Sequence, residues 1–243
     1  MLVASDAHLG AASPDQERAF LAWLDGAAAE ASWIILDGDL FDFWFEYRTG
    51  TTRGYEAVLT QLRRIVSGGV PVTLMGGNHD WWGGRYLREQ VGLEFLQEPV
   101  VRDVAGRRTL LAHGDGLGRG DLGYRVLKAA LRSRGTRWAF GMLPPAVGDR
   151  LARAVSRTGH QWDVYTEGHL ARSAALEAWA IERLRQDPEL DLIVLGHTHV
   201  PLLREAEPGR WYVNTGDWVK HRSYLKLIPG HDPMLEHWED RAT

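Results

Sequence analysis

The chain has 243 residues, a net charge of −4 at pH 7, 44% hydrophobic residues and no cysteine. This length suits one large α/β domain or a domain with an insertion, and the hydrophobic content is sufficient for a real core. The negative charge argues against a general nucleic-acid-binding protein, and the lack of cysteine excludes disulfides and thiolate metal sites.

The first predicted elements are a strand, a helix and a second strand. Leu2–Ala4 predicts the first strand, and a helix is expected from Ser13, because serine at the N-cap followed by Pro14 is typical of a helix start. The apolar run Ile34–Leu36 before Gly38 predicts a strand buried on both faces. Such a strand–helix–strand unit predicts parallel pairing with a right-handed crossover.

Polar residues follow both of these strands. Asp6 and His8 come after the first, and residues two apart share one face of an extended backbone. Asp39 comes after the second, at the carboxyl edge where open α/β sheets place their sites, and its two oxygens can bridge two cations. For Asp6 and His8 alone, a turn aspartate and a surface histidine are an equally good interpretation.

The segment after Asp39 is rich in aromatic residues. Residues 43–47 have the sequence FWFEY, which fits either the core or the wall of a pocket beside Asp39. Helical spacing of apolar residues over 55–66 predicts a helix, and 71–75 predicts a third strand.

The third strand leads into three polar residues. Asn78 offers a neutral carbonyl ligand, and His79 can donate a proton or bind a phosphoryl oxygen. Asp80 can hold the His79 ring in one tautomer. Turns rich in Asn and Asp also occur without a function, so only their position at a strand end favours a functional interpretation.

Two later strands end in histidine. The strand predicted over 107–112 leads to His113, and the strand predicted over 192–195 leads to His197 and His199. A lone histidine is most often structural, but two at this spacing after a buried strand are more specific. Further strands are predicted over 211–214 and 224–228, and the tail from Gly230 is polar and uninformative.

Five predicted strand ends thus carry carboxylate, imidazole and amide groups without thiolate. This donor set suits Mn²⁺, Fe²⁺ or Zn²⁺. Seven ligands with one shared carboxylate suit two ions about 3.5–4 Å apart, which lower the pKa of a bridging water and clamp phosphoryl oxygens. The candidate ligands are Asp6, His8, Asp39, Asn78, His113, His197 and His199.

The motif order D-x-H, GD, GNHD, HGD and GHTH resembles that of the calcineurin-like metallophosphoesterase superfamily over nearly the whole chain. The resemblance implies an α/β fold, a four-layer α-β-β-α sandwich, here with an inserted helical cap. It implies two divalent ions, with Mn²⁺ as the first choice, and makes His79 and Asp80 the expected catalytic residues. The implied ligand sets are Asp6, His8, Asp39 and His199 for one ion, and Asp39, Asn78, His113 and His197 for the other.

A narrower set of motifs is similar to the UDP-2,3-diacylglucosamine pyrophosphatases of lipid A biosynthesis. These motifs are GDLFDFW at 38–44, HGD at 113–115 and GDW at 216–218. The similarity implies hydrolysis of UDP-2,3-diacylglucosamine to UMP and 2,3-diacylglucosamine 1-phosphate. That subfamily carries arginine where this chain has His79. The residues implied to bind substrate are Asn78, His79, Asp121 and Tyr124.

The same subfamily inserts a helical cap before the last histidine motif. The expected division is a core of residues 1–115 and 190–243, with 116–189 as the cap insertion and return helix. Residues 116–157 carry nine Arg or Lys against two Asp, a local charge of +7, with apolar residues interleaved. This pattern favours contact with an anionic membrane or an acylated diphosphate over an ordinary solvated helix pair.

The expected enzyme therefore acts on a nucleotide-sugar lipid at the inner face of the cytoplasmic membrane, as a peripheral protein. No stretch approaches the ~20 apolar residues of a membrane span or resembles a signal peptide, so a cytoplasmic location is expected. No nucleic-acid or protein partner is predicted. A calcineurin-like phosphodiesterase or nucleotide hydrolase acting on a soluble substrate is the alternative, motivated by His79. A binding scaffold without catalysis ranks last, because none of the seven ligand residues is missing.

Overall fold

Two β-sheets form the centre of the computed structural model, which describes residues 1–118, 122–155 and 167–239. The strands are β1 (Leu2–Ala4), β2 (Ile34–Leu36), β3 (Glu46–Tyr47), β4 (Gly50–Thr51), β5 (Val72–Met75), β6 (Glu94–Leu96), β7 (Val100–Val104), β8 (Arg107–Leu111), β9 (Leu192–Leu195), β10 (Leu202–Glu207), β11 (Arg210–Asn214), β12 (Ser223–Lys226) and β13 (Met234–His237). The helices are α1 (Pro14–Glu30), α2 (Glu56–Ser67), α3 (Leu122–Leu131), α4 (Arg134–Gly141), α5 (Pro145–Val155) and α6 (Glu167–Gln186), with a π-helical turn at Leu87–Val91.

Both sheets are mixed, with a parallel centre. The first has the order β13-β12-β1-β2-β5-β6, in which β1, β2, β5 and β6 run parallel. The second has the order β10-β11-β9-β8-β7, with β9 parallel to both of its neighbours. A separate hairpin pairs β3 with β4. The parallel centres bring the carboxyl ends of five strands to one region, which is where the polar motifs lie.

Three apolar clusters separate four layers. Leu24 of α1 and Leu62 of α2 pack against the outer face of the first sheet. Ile35 and Val194 belong to the cluster between the two sheets. Leu176 belongs to a third cluster, in which α6 covers the second sheet. The order is therefore helices, sheet, sheet, helix, which confirms the predicted four-layer α-β-β-α sandwich.

The strands and helices predicted from apolar patterns are present within one or two residues of their expected ends. Helix α1 begins as expected, with Pro14 at its first position and a reciprocal capping box between Ser13 and Gln16. The tail, which the sequence left without a structural prediction, contains a strand: β13 pairs antiparallel with β12 at the edge of the first sheet. The aromatic segment 43–47 contributes to both the core and a cavity wall: Trp44 is fully buried in the core, whereas Phe43 and Phe45 line a cavity.

Helices α3, α4 and α5 leave much of their apolar surface exposed. Leu122, Val126 and Trp138 are 76%, 70% and 69% exposed. Within the described ranges, no helix is both long and apolar enough to cross a membrane. The division into a core and a cap stays a prediction, and the predicted substrate contact Asp121 lies outside the described residues.

Candidate metal centre

The loops after β1, β2, β5, β8 and β9 converge, and they carry all of the predicted metal ligands. Three histidine–carboxylate groups have their donor atoms within 4.8 Å of one another. Asp39 belongs to two of these groups and His8 to two. The groups are Asp6 with His8 and His199, His8 with Asp39 and His79, and Asp39 with His113 and His197.

The backbone of these loops is left-handed, not extended. Five of the seven predicted ligands have positive φ angles between 44° and 69°. The expectation that Asp6 and His8 share a face of an extended segment is therefore wrong, although their side chains do meet. Non-glycine residues in this region cost of order 1–3 kcal/mol each, a strain that functional sites often carry. These residues are Asp6, His8, Asp39, His197 and His199.

The two oxygens of Asp39 have different surroundings. Oδ1 accepts a hydrogen bond from the backbone N–H of His79 at 2.8 Å. Oδ2 lies 3.1 Å from Nε2 of His113 and 3.8 Å from Nε2 of His8. A single oxygen, Oδ2, therefore faces both histidines.

The chemistry of the donors fits divalent cations. Asp6 Oδ1, Asn78 Oδ1 and His113 Nε2 are buried atoms that make no hydrogen bond within the described residues. Burying polar atoms without hydrogen bonds costs free energy. Cations bound to these oxygen and nitrogen atoms would offset that cost. The absence of thiolate ligands suits Mn²⁺, Fe²⁺ and Zn²⁺ equally well.

Burial and neighbouring charge set the protonation of the two histidines beside Asp39. Burial lowers the pKa of His197 to about 4, and nearby His113 adds to the shift, so His197 is neutral and has a free electron pair for a cation. Burial opposes charge on His113 too, but the Asp39 carboxylate raises the pKa of that imidazole well above its usual value. A cation binding at His113 must therefore displace a proton.

Two buried groups that the sequence reasoning did not use fix the orientation of ligand histidines. The Asp37 carbonyl lies 2.9 Å from Nδ1 of His113, so Nδ1 donates and Nε2 points to Asp39. Asp217 Oδ2 lies 3.5 Å from Nδ1 of His199 and 3.1 Å from Nδ1 of His221. Burial opposes ionisation of Asp217, but the nearby His199 imidazole and the hydrogen bond from His221 keep its pKa below the usual value. The GDW motif contained this residue without indicating its partner.

Replacing Asp217 with asparagine should lower metal affinity about 10–100-fold. Oδ1 of Asp217 accepts the backbone N–H of His221 at 3.0 Å, so the new amide nitrogen takes the Oδ2 position. It would donate to Nδ1 of His199 and move the imidazole proton to Nε2, the atom 3.3 Å from Asp6 Oδ1. Calorimetric titration with Mn²⁺ measures the loss, with Asp232→Asn as the exposed control. Equal affinities of the two variants would contradict this role.

Asp80 has a different role from the one predicted. Its carboxylate accepts backbone N–H groups of Gly77 at 2.7 Å and Leu40 at 2.8 Å, and makes no hydrogen bond to His79. The expectation that it sets the His79 tautomer is wrong, because both of its oxygens accept backbone hydrogen bonds from the loops after β2 and β5. Burial and the Asp39 charge raise the pKa of Asp80 to about 7.

The His79 ring is instead oriented by a main-chain group. Its Nδ1 lies 2.5 Å from the Asp42 carbonyl oxygen, which can only accept, so Nδ1 carries a proton. The ring meets His8 edge to face, with 4.8 Å between centroids. Nε2 therefore remains available at the edge of the histidine–carboxylate cluster.

Residues 1–201 match the family model described as calcineurin-like phosphoesterase. The chain belongs to this family. The resemblance inferred from the motifs is thereby confirmed, and the histidine and aspartate groups of this phosphoesterase are positioned for divalent metal. Which residues bind which ion stays a prediction.

Curated relatives match nearly the whole phosphoesterase. A UDP-2,3-diacylglucosamine hydrolase of Porphyromonas gingivalis is 30% identical, covering 97% of this chain and 96% of the relative. Proteins of the same name from Pseudomonas aeruginosa and Bordetella pertussis are 32% and 33% identical. The first of these covers 93% of this chain and 94% of the relative, and the second covers 82% and 76%.

One face of α3 is tied to the metal centre of the phosphoesterase through Asp115. This buried carboxylate follows His113 by two residues. It accepts hydrogen bonds from Tyr124 at 3.2 Å and Arg132 at 3.0 Å, and pairs with Lys128 at 2.7 Å. The three donors are spaced four residues apart and so share one helix face. Tyr124 is one of the predicted substrate contacts, and the spacing of Lys128 and Arg132 after it is the sequence signal for this shared face.

An apolar cavity of about 410 Å³ lies beside the centre, between α3, α4 and the loops after β2 and β5. Asn78 and His79 line it together with Tyr124, so the structure brings three of the four predicted substrate contacts to one cavity. Its apolar walls comprise Phe43, Phe45, Trp82, Leu127, Leu131, Phe140, Leu151 and Ala152. We call this cavity the apolar chamber.

Proposed function

We propose that this phosphoesterase hydrolyses the pyrophosphate of UDP-2,3-diacylglucosamine, giving UMP and 2,3-diacylglucosamine 1-phosphate. The observation that carries the proposal is the apolar chamber, which shares His79 with the histidine–carboxylate cluster and is also lined by Asn78. An acylated phosphoester needs these two environments side by side. A small soluble ester would leave the chamber, with its three phenylalanines and a tryptophan, without an occupant.

The names of the curated relatives support the same substrate. Three of them, from different bacterial genera, are called UDP-2,3-diacylglucosamine hydrolases and match at 30–33% identity over most of their length. His79, at the position where the subfamily motif has arginine, also supplies a nitrogen donor that can bind a phosphoryl oxygen.

We assign one divalent ion to Asp6, His8, Asp39 and His199, and a second to Asp39, Asn78, His113 and His197, with Mn²⁺ as the first choice. When bound by these residues, two such ions would supply the activation of water and the charge neutralisation that an in-line displacement at phosphorus needs. Asp39 Oδ2 is suited to the shared position because it faces His8 and His113 together.

The protein's own groups hold and orient the diphosphate. In its doubly protonated form, His79 keeps Nδ1–H on the Asp42 carbonyl and can donate Nε2–H to a phosphoryl oxygen. Lys128 and Arg132 line the chamber on the cap side and add positive charge where the diphosphate meets the acyl chains. Closure of α3 over the centre through Asp115 would exclude water from this junction.

We also propose that the protein binds the membrane peripherally, at its inner face, where the acylated substrate resides. The basic residues of the cap and its exposed Leu122, Val126 and Trp138 favour an anionic lipid surface. In this proposal residues 1–115 and 190–243 form the catalytic core, and 116–189 form the cap with its return helix.

Hydrolysis in ¹⁸O-labelled water tests the reaction. Attack on the phosphorus next to uridine should place the label in UMP, as measured by mass spectrometry of both products. Label found only in the sugar phosphate would overturn attack at that phosphorus. UDP-N-acetylglucosamine, which lacks the long acyl chains, is the matched control and should turn over much more slowly. Turnover of soluble phosphodiesters with none of the acylated substrate would support the soluble-substrate alternative instead.

A further inference from the structure

A second cavity, of about 490 Å³, lies next to the apolar chamber and has the opposite character. The two cavities share Phe45, Trp82 and Arg137 in their walls. Its remaining lining comes from β3, the loop after β5, the π-helical turn, the residue after β6 and α4. We call it the arginine cleft, because its lining includes Arg85, Arg88, Arg134 and Arg137.

The positive charge of the arginine cleft is poorly compensated. Among the described residues, Glu46 is the one carboxylate that lines it, and its oxygens already accept backbone N–H groups of Gly84 at 2.7 Å and Tyr86 at 3.0 Å. Arg85 pairs with Glu89 outside the cleft. In the described part of the chain, the other three arginines of the cleft make no ion pair with a carboxylate.

One side of the cleft is held in place by Trp81. Trp81 is buried and exchanges hydrogen bonds with Gln97, whose side chain also lines the cleft. The Arg137 guanidinium lies 5.2 Å from the centroid of the Trp81 ring, a cation–π contact that holds it between the two cavities. The cleft therefore presents several guanidinium groups, of which Arg137 is held on Trp81, and guanidinium groups suit a phosphate.

The rim of the cleft is apolar. Trp138 lines it and remains 69% exposed, and Met142, one helical turn further along the cap, is 50% exposed. Indole rings favour the boundary between lipid headgroups and acyl chains. A ligand that combines phosphate with apolar chains matches both the arginines and this rim, whereas free phosphate would use only the arginines.

We propose that the arginine cleft binds the phosphodiester headgroup of an anionic phospholipid, and so holds the mouth of the apolar chamber against the membrane. The inference rests on the proposed action on a membrane lipid. It adds a second lipid site, separate from the site of the substrate. Through Arg137, the bound headgroup lies next to the cavity that the substrate enters.

Vesicle binding of a paired variant tests the site. Arg88→Gln with Arg134→Gln should lower partition onto phosphatidylglycerol-containing vesicles about 30-fold, from about 1 kcal/mol per arginine near an anionic surface. The control carries Arg125→Gln with Arg150→Gln, which removes the same charge from exposed cap positions outside the cleft. Binding to pure phosphatidylcholine vesicles should be weak for all three proteins.

The outcomes separate this proposal from the proposed reaction. The cleft variant should hydrolyse detergent-dispersed UDP-2,3-diacylglucosamine at the rate of the unmodified protein, whereas it loses vesicle binding. Equal loss of binding in the control variant would overturn the site and indicate diffuse attraction by the cap. Displacement of the unmodified protein from vesicles by inorganic phosphate, at a concentration equal to the lipid phosphate, would overturn the lipid assignment. Failure to hydrolyse the substrate at all would affect the proposed function and leave the vesicle result intact.

Discussion

Asp39→Asn should abolish turnover, lowering it by about 10³-fold or more, because metal ions supply several kcal/mol of transition-state stabilisation at 1.36 kcal/mol per tenfold in rate. Asparagine keeps the carbonyl oxygen that accepts the His79 backbone N–H, so the loop after β2 should stay in place. What it loses is the negative charge that faces His8 and His113. The change should therefore remove the predicted shared metal ligand while the fold stays intact.

Thermal unfolding with and without Mn²⁺ distinguishes these two effects. The unmodified protein should be stabilised by Mn²⁺, since a ligand that binds only the folded state raises the free energy of unfolding. Asp39→Asn should show little of this shift, while its metal-free melting stays cooperative. Asp25→Asn is the matched control, because Asp25 is an exposed aspartate of α1 that pairs with Arg64. A variant at Asp39 that retained both the Mn²⁺ shift and turnover would remove the basis for a two-ion mechanism.

The sequence could predict the strands that carry the site because they are buried on both faces. Runs such as Ile34–Leu36 and Leu192–Leu195 are continuous, apolar and followed by glycine, a pattern that few other structures produce. Edge strands such as β7, β10 and β13 mix polar and apolar residues and are partly exposed, so their sequences do not predict a strand. Their pairing depends on neighbours distant in sequence.

The candidate ligands could also be named in advance, because each follows directly after such a strand. Their geometry could not, since the left-handed backbone at Asp39 and His197 is only one of the conformations open to Asp and His after a strand. Dependence on tertiary packing explains why the predicted partner of Asp80 was wrong. Local reasoning paired it with its neighbour His79, whereas the fold brings Leu40, forty residues away, to its carboxylate. Long-range partners of a polar side chain are decided by tertiary structure.

Gly77 shows how closely two of these loops approach. A Cβ atom at this position would lie 2.6 Å from the backbone nitrogen of Asp39 and would overlap its Oδ1 as well. The neighbour is backbone, so it has no rotamer by which to move away. Gly77→Ala should therefore displace the loop that carries Asp39, although the φ angle at Gly77 is not positive.

Gly77→Ala should destabilise the fold by about 1–3 kcal/mol, the usual cost of overpacking. It should also lower turnover by about 10²-fold, because a shift of about 1 Å in a catalytic group has an effect of this size. Urea unfolding and a turnover assay with saturating Mn²⁺ measure the two effects on one sample. The control is Gly26→Ala in α1, where the new methyl group would meet Trp238 at 3.7 Å.

Because 3.7 Å is an ordinary van der Waals distance, Gly26→Ala should raise the free energy of unfolding by about 0.5–1 kcal/mol through the better helix propensity of alanine. Its turnover should not change. The two substitutions add the same methyl group, so opposite effects on stability would show that the contact with Asp39 is the cause. If Gly77→Ala were as stable and active as Gly26→Ala, the loops would have room to separate, and the tight junction at Asp39 would not be needed for turnover.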